Sequence, residues 1–380
     1  MDISIIVPIY KGKKYINDIV NQIENCVKNL DGQQVELLLV NDYPEDILEN
    51  QKSKLISIRV FNTDRNLGIQ GARIKGIRLC EGKYILMLDQ DDRISEDYLK
   101  SQLRVISDGN ADAVICRASE NGRSIYNVTN PFERTVDIKY MYAEGNAIVS
   151  PGQVLIKKDS ISQMWLENIL AHSGADDWFL WLCMFAEGKR MVLNDEELYE
   201  HVISGDNFSW NSEEMIQSEG EIYDFFAKNG TCGKTLLSGF KRLIEHEQIR
   251  YIKILEKYRR LYLLYDRWMD NVIKKEQLTD FLYKQGNTKI AIYGMGKLGQ
   301  QLAMDLTRDE RINLEAIIDM NADYIDSDFR LVTLERFQES VDLIIVTVAY
   351  PSNDLVNKIK KKTCTSVITF DELLASWERA

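Results

Sequence analysis

The segment Tyr84-Ile85-Leu86-Met87-Leu88 most narrows what this chain can fold into. A run without a polar residue to turn toward water predicts a strand covered on both faces, the kind found inside parallel sheets. The residues before it agree. Apolar runs at 3–9, 35–40 and 56–61 predict strands, and 15–27 and 71–79 carry helical spacing, with Ile16, Ile19, Val20, Ile23 and Val27 on one face. Strands alternating with helices in this way predict an α/β fold with a largely parallel sheet.

The apolar run ends in Asp89-Gln90-Asp91-Asp92. Ligands of open α/β sheets bind at the carboxyl edge of the strands, which is where this cluster falls. In Asp-x-Asp two carboxylates approach one hard cation from the same turn. Magnesium or manganese takes few such ligands and completes its shell with substrate phosphates. The plain alternative is that Asp91, Asp92, Ser95, Glu96 and Asp97 cap and charge the start of a following helix.

Composition bounds the partners. Lys and Arg total 47 against 59 Asp and Glu, and the net charge of -12 excludes a general affinity for nucleic acid or anionic lipid. The 6 cysteines have neither a C-x-x-C pair nor zinc spacing and read as reduced packing residues. The opening Met1-Asp2-Ile3-Ser4 lacks the basic start of a signal peptide, and the sequence holds no apolar stretch of about 18 residues. The expectation is a cytoplasmic protein, with peripheral contact at the inner face of the membrane open to it if its acceptor is lipid-linked.

Farther along, 212–275 has almost no strand signal and no proline, which predicts a helical segment. Within it Tyr251, Leu255, Tyr258, Tyr262, Tyr265, Met269 and Val272 recur at spacings of four and three, drawing one apolar stripe. The stripe either packs against the chain's own domains or forms the seam of a homodimer. At 289–293 a strand pattern begins again, followed by Gly294-Met295-Gly296-Lys297-Leu298-Gly299 and, past a second strand candidate at 316–318, by Asp319. That context fits the dinucleotide fingerprint, so NAD or another nucleotide is one expected ligand of a small Rossmann-like domain, and a bare interaction module is the other. The expected domains are 1–211, 212–286 and 287–380.

Four ordered motifs carry a family resemblance: Val7-Pro8-x-Tyr10, Val40-Asn41-Asp42, Asn66-x-Gly68-x-x-x-Ala72-Arg73 and Asp89-x-Asp91-Asp92. In these the first 210 or so residues resemble an inverting glycosyltransferase of family 2 with the GT-A fold. The resemblance implies that Pro8 and Tyr10 line the nucleotide pocket of a UDP-sugar and that Asp42 hydrogen-bonds the base. It places Arg73 beside the pyrophosphate, Asp89 near ribose and metal, and Asp91 as the principal ligand of Mg2+ or Mn2+. Lys11 and Tyr43-Pro44 depart from the family's usual residues at the base pocket.

A second constellation, Gly174-Ala175-Asp176-Asp177-Trp178, resembles the family's acidic pair before a helix. It implies that Asp177 is the catalytic base, with Asp176 and Trp178 on the acceptor side and His172 near them. The segment 198–209 resembles the stretch that carries a metal-binding His; Ser204 occupies that position by alignment, and His201 falls three residues early. The acceptor is expected to be a glycan, a lipid-linked sugar or a protein. Two other readings stand beside the transferase: a bifunctional enzyme with an NAD-dependent oxidoreductase at its end, and a non-catalytic scaffold.

Overall fold

The computed structural model describes residues 1–108, 110–203, 212–274 and 277–380. The chain divides into two units, Met1–Ile249 and Arg250–Ala380.

The first unit is built on one mixed sheet. Its strands are β1 (Ile3–Ile9), β2 (Val35–Asn41), β3 (Ser57–Asn62), β4 (Tyr84–Met87), β5 (Arg93–Ile94), β6 (Ala113–Glu120), β7 (Arg123–Ser124), β8 (Val154–Lys157) and β9 (Met191–His201). They lie in the order β3-β2-β1-β4-β8-β6-β9-β5, with β7 paired to β6. The block β3-β2-β1-β4 is parallel, and β1, β2 and β4 are buried along their whole lengths, as continuous apolar runs require. β8 runs antiparallel to both β4 and β6, so β6 and its parallel neighbour β9 point the same way as β4. The carboxyl ends of β1, β2, β4, β6 and β9 therefore share one edge of the sheet.

Pro8 lacks an N–H and still sits inside β1, a central strand. The last ladder bond from β4 goes from Leu88 N to Ile6 O, so Pro8 faces β4's side beyond the point where that strand leaves the sheet.

Helices α1 (Ile16–Lys28), α2 (Gly68–Leu79), α3 (Tyr98–Asp108), α4 (Ile138–Ala143), α5 (Gln163–Glu167), α6 (Asp176–Ala186) and α7 (Ser212–Asn229) complete this unit together with the start of α8 (Lys234–Lys274). α2 begins three residues before the expected 71, at Gly68, whose φ of +73° suits glycine. The helical segment expected at 212–286 is shared between the units. Ile222, Phe226, Phe240 and Ile244 belong to the first core, whereas Leu264, Trp268, Leu278 and Phe281 belong to the second.

The second unit holds α9 (Leu278–Lys284), β10 (Lys289–Tyr293), α10 (Lys297–Leu306), β11 (Asn313–Ile318), β12 (Leu331–Val332), β13 (Leu343–Val346), α11 (Asn353–Thr363), β14 (Ser366–Thr369) and α12 (Phe370–Arg379). Its strands form an all-parallel sheet in the order β12-β11-β10-β13-β14, a Rossmann-like arrangement whose switch point lies between β10 and β13. Cys26, Cys80, Cys116 and Cys183 are buried and free, as packing residues should be, while Cys364 is exposed. Among the described residues no helix is long and apolar enough to cross a membrane.

Candidate active site

The shared edge of the first sheet gathers most of the predicted residues. Beyond β4 the chain turns sharply, Asp92 N donating to Asp89 O at 3.3 Å, so the three carboxylates of the cluster leave in different directions. Asp89 points across the edge: its Oδ1 accepts from Arg73 Nη2 at 2.6 Å and its Oδ2 from Ser150 Oγ at 3.0 Å. Asp92 points inward. It is buried, accepting from Val202 N at 2.8 Å and from the Tyr199 hydroxyl. Burial, and after it the charge of Asp89, raises its pKa to about 7. Asp92 thus ties the end of β4 to the end of β9.

Asp91 is the member left facing the edge. Among the described residues no other side chain hydrogen-bonds or ion-pairs with its half-buried carboxylate, and burial together with Asp89 raises its pKa. His201 and Lys14 oppose that shift, which puts both cationic groups within electrostatic reach. His201 ends β9 opposite Glu120 of β6, and its Nδ1 lies 2.8 Å from Glu120 Oε1. A carboxylate on one ring nitrogen is the arrangement that orients a metal-binding imidazole. Among the described residues no three His, Cys, Asp or Glu side chains converge into a closed metal cage. A carboxylate that has no side-chain partner among the described residues and stands beside Asp89 fits a hard cation that keeps few protein ligands. Ser204 lies outside the described residues.

Arg73 differs from its expected place at a pyrophosphate. It projects from α2 into the interior, 4% exposed, and its Nη1 donates to Asp176 Oδ2 at 2.8 Å while Nη2 holds Asp89. Burial works against its charge. The carboxylates of Asp176, Asp89 and Asp177 outweigh burial and hold the guanidinium charged. Both ends of the guanidinium are thus committed to carboxylates, and the residue is a bridge between strand end and helix start.

That helix start is α6. Asp176 and Trp178, expected on the acceptor side, are both buried instead: Asp176 pairs with Arg73 and Trp178 Nε1 donates to Met141 O at 3.1 Å. Only Asp177 of the trio keeps its place near the surface, half-buried. Its Oδ2 accepts from Asn146 Nδ2 at 3.2 Å and its Oδ1 from Trp178 N at 2.7 Å. Burial first and the charge of Asp176 second raise its pKa to about 7, against the opposing pull of Arg73. A carboxyl group tuned near neutrality is suited to accept a proton. His172 sits just upstream with its ring against Glu221 of α7, whose other oxygen takes Ala171 N at 2.7 Å.

On the nucleotide side one aspartate oxygen is likewise engaged within the fold. Asp42, expected to meet a base, is 4% exposed, and its Oδ1 accepts from Leu67 N at 2.8 Å and Thr63 Oγ1 at 3.2 Å. It shapes the loop before α2. Tyr10, by contrast, is 45% exposed and stands edge-on to Tyr43 with ring centroids 5.3 Å apart; Lys11 Nζ lies 5.4 and 5.3 Å from the two rings. Gln90, which motif reading passed over, brackets Tyr10 from both sides, accepting from its N–H and donating to its carbonyl, each at 3.1 Å. Ser150 and Asn146 were equally silent, because nothing local in the sequence marks a loop residue that meets an aspartate tens of positions away. Beside the Glu120–His201 pair, a cleft of about 510 Å³ is lined by Glu120, Asn121, Arg123, Ser124, Ile125 and Asn127.

In the second unit the loop after β10 has the expected shape. Gly294 has φ +107°, and a Cβ on Gly299 would stand 1.9 Å from Gly294 O, so the helix and loop meet only through glycine. Asp319 does not present a free carboxylate to a ribose: Oδ2 accepts from Met295 N at 2.8 Å and Oδ1 from Asn321 N at 2.9 Å. Gly296 caps α10 without a side chain.

The edge geometry defines an α/β domain with its acidic side chains gathered at the carboxyl edge of a largely parallel sheet, and comparison with known proteins gives its family. The family model "Glycosyl transferase family 2" matches residues 4–165. The matched segment, residues 4–165, is a glycosyltransferase family 2 segment with the GT-A fold. The chain is 37% identical over 105 residues to an uncharacterized glycosyltransferase of Haemophilus influenzae, covering 27% of this chain and 40% of that protein. It is 24% identical over 230 residues to the putative teichuronic acid biosynthesis glycosyltransferase TuaG of Bacillus subtilis, covering 58% and 86%. To the minor teichoic acid biosynthesis protein GgaB of Bacillus subtilis it is 26% identical over 171 residues, 43% of this chain and 19% of that one. The chain thus spans less than half the length of two of these three relatives. Among solved structures, Staphylococcus aureus TarS 1–349 superposes with a TM-score of 0.46 at 17% identity, covering 63% of this chain and 70% of that one.

Proposed function

We propose that this chain is an inverting, metal-dependent glycosyltransferase that moves a sugar from a nucleotide donor, a UDP-sugar, to an acceptor hydroxyl. One observation carries the reading: in a family 2 domain, the Arg73 bridge joins the strand end bearing Asp91 to the helix start bearing Asp177. A cation site and a near-neutral carboxylate thus stand on one scaffold. Asp91 and Asp89, with His201 held by Glu120, would hold Mg2+ or Mn2+. The cation supplies charge stabilisation for the departing nucleoside diphosphate.

The protein's own groups do the rest. Tyr10 and Tyr43, with Lys11 against both rings, offer an aromatic surface for the base, and Gln90 keeps Tyr10 in place. Asp177 takes the proton of the acceptor hydroxyl as that oxygen forms its bond to the anomeric carbon and the carbon–diphosphate oxygen bond breaks. Attack from the face opposite the leaving group inverts the anomeric centre. The cleft beside Glu120 is the proposed acceptor side, in place of Asp176 and Trp178.

Relatives named for teichoic and teichuronic acid biosynthesis support a glycan or lipid-linked acceptor of a cell-surface polymer, met from the cytoplasmic side. The second unit is an accessory module in this reading, because Asp319 is engaged by its own loop and gives no support to a hydride-transfer site. The test is a screen of nucleotide sugars for diphosphate release with manganese, run on wild type and Asp91→Asn. Release in the wild type that Asp91→Asn abolishes is expected, and equal negligible rates with every donor would leave the scaffold reading standing.

A further inference from the structure

Helix α8 is apolar on two faces, and in the second unit its own domain uses one of them. Leu264 and Trp268 are buried in the core, with Trp268 edge-on to Phe370 at 5.2 Å. Arg267 Nε reaches Glu378 at 2.8 Å, and Arg260 pairs with Asp371. This face is anchored along its length.

The opposite face is bare. Tyr258 is 66% exposed, Tyr262 67% and Met269 58%, and Leu255 and Val272 are exposed in line with them. These residues, with the partly covered Tyr265, keep a four-three spacing over about three heptads, which is the pattern of a helix that packs against another helix. Ile252 and Ile273 flank the stripe, also exposed. A contiguous apolar stripe of this length is unusual on a surface without a partner.

The stripe is complementary to itself in one direction. Laid antiparallel about a two-fold axis near its middle, Leu255 of one copy meets Val272 of the other, Tyr258 meets Met269, and Tyr262 meets Tyr265. In the same register Ile252 lies beside Ile273 along one flank, and Arg259 lies beside Asp266. Neither of these two charged groups has an ion-pair partner within the chain among the described residues. A parallel pairing places Arg259 beside Ile254 and Asp266 beside Leu261, and gives no charge match. Two-fold symmetry makes each cross-copy contact occur twice, which is how an isologous interface forms from one patch.

We infer that two copies of this chain associate through α8 as an antiparallel pair, with Leu255, Tyr258, Tyr262, Met269 and Val272 as the seam and Arg259–Asp266 as the ion pair that sets its direction. The seam spans about 26 Å of helix at 1.5 Å per residue. It does not involve the transferase site, so it stands or falls separately from the proposed activity.

Sedimentation of the full chain tests it through a charge swap. The wild type should sediment as a dimer. Arg259→Glu places like charges beside Asp266 twice per dimer, and Asp266→Arg does the same beside Arg259, so each should raise the dissociation constant about tenfold. The double variant Arg259→Glu with Asp266→Arg should restore the wild-type value. All three change exposed positions, so the unfolding temperature should be unaltered when measured at a dilution where every form is monomeric. A monomeric wild type would overturn the inference, as would a dimer that Tyr262→Asp leaves intact. Single variants that weaken the dimer without rescue in the double would overturn the antiparallel register.

Discussion

Arg73 Nη1 lies 2.8 Å from Asp176 Oδ2, and both side chains are almost wholly removed from water. The same guanidinium reaches Asp89, so the segment after β4 and the first turn of α6 are held by one cation. Breaking such a pair leaves a buried charge uncompensated. Arg73→Ala should therefore lower stability by about 3–5 kcal/mol, read by urea unfolding. A loss near zero would show that the bridge is not a structural link.

Arg73 also restrains the pKa of Asp177. The base must be ionised to act, so transfer should fall as pH drops through about 7, and the acid limb of the rate profile should lie there. If Arg73→Gln retains measurable turnover, its acid limb should move to higher pH, because a positive charge that favoured the carboxylate is gone. An acid limb near the ordinary aspartate range in the wild type would contradict this.

The same raised pKa has a cost in stability. A carboxyl whose folded pKa exceeds its unfolded value binds more protons when folded, so stability is greatest below the unfolded pKa and falls as pH rises through the folded one. For Asp177 that window runs from the ordinary carboxyl value of 3.8 to about 7. Asp177→Asn should raise the unfolding temperature at pH 8 relative to wild type and lose most of that gain at pH 4. Equal differences at the two pH values would exclude the linkage.

Ser150 donates to Asp89 at 3.0 Å. Ser150→Ala should weaken manganese-dependent donor binding by about 1 kcal/mol, roughly fivefold in calorimetry, since one hydrogen bond that orients Asp89 is removed. Unchanged affinity would detach Ser150 from the site.

Gly12 lies against Gln90, and a Cβ there would stand 1.8 Å from Oε1. Gly12→Ala should push the amide off Tyr10 and raise the donor KM while changing kcat less, because the base platform loosens and the chemistry is untouched. A pure kcat effect would count against Tyr10 as the nucleotide surface.

The parallel strands were legible because burial on both faces leaves continuous apolar runs such as 84–88, and the order of four motifs placed the edge cluster. The division of labour inside that cluster was not. Asp91 and Asp92 are neighbours of one type, and what separates them is Tyr199 and Val202, over a hundred residues away. Asp42 and Arg73 matched their motifs, yet their partners turned out to be Leu67, Asp89 and Asp176, contacts that depend on the tertiary fold. On α8, a four-three repeat reads the same whether its face is covered or open.

Asp177 as the proposed base and Asp91 in the proposed cation site make separable demands on turnover and on donor binding. Diphosphate release with manganese and an accepted donor and acceptor, measured for Asp177→Asn beside calorimetric donor binding, tests them most directly. Donor affinity should stay within about twofold of wild type while turnover falls at least about a hundredfold. Turnover close to wild type in Asp177→Asn would contradict the role of Asp177.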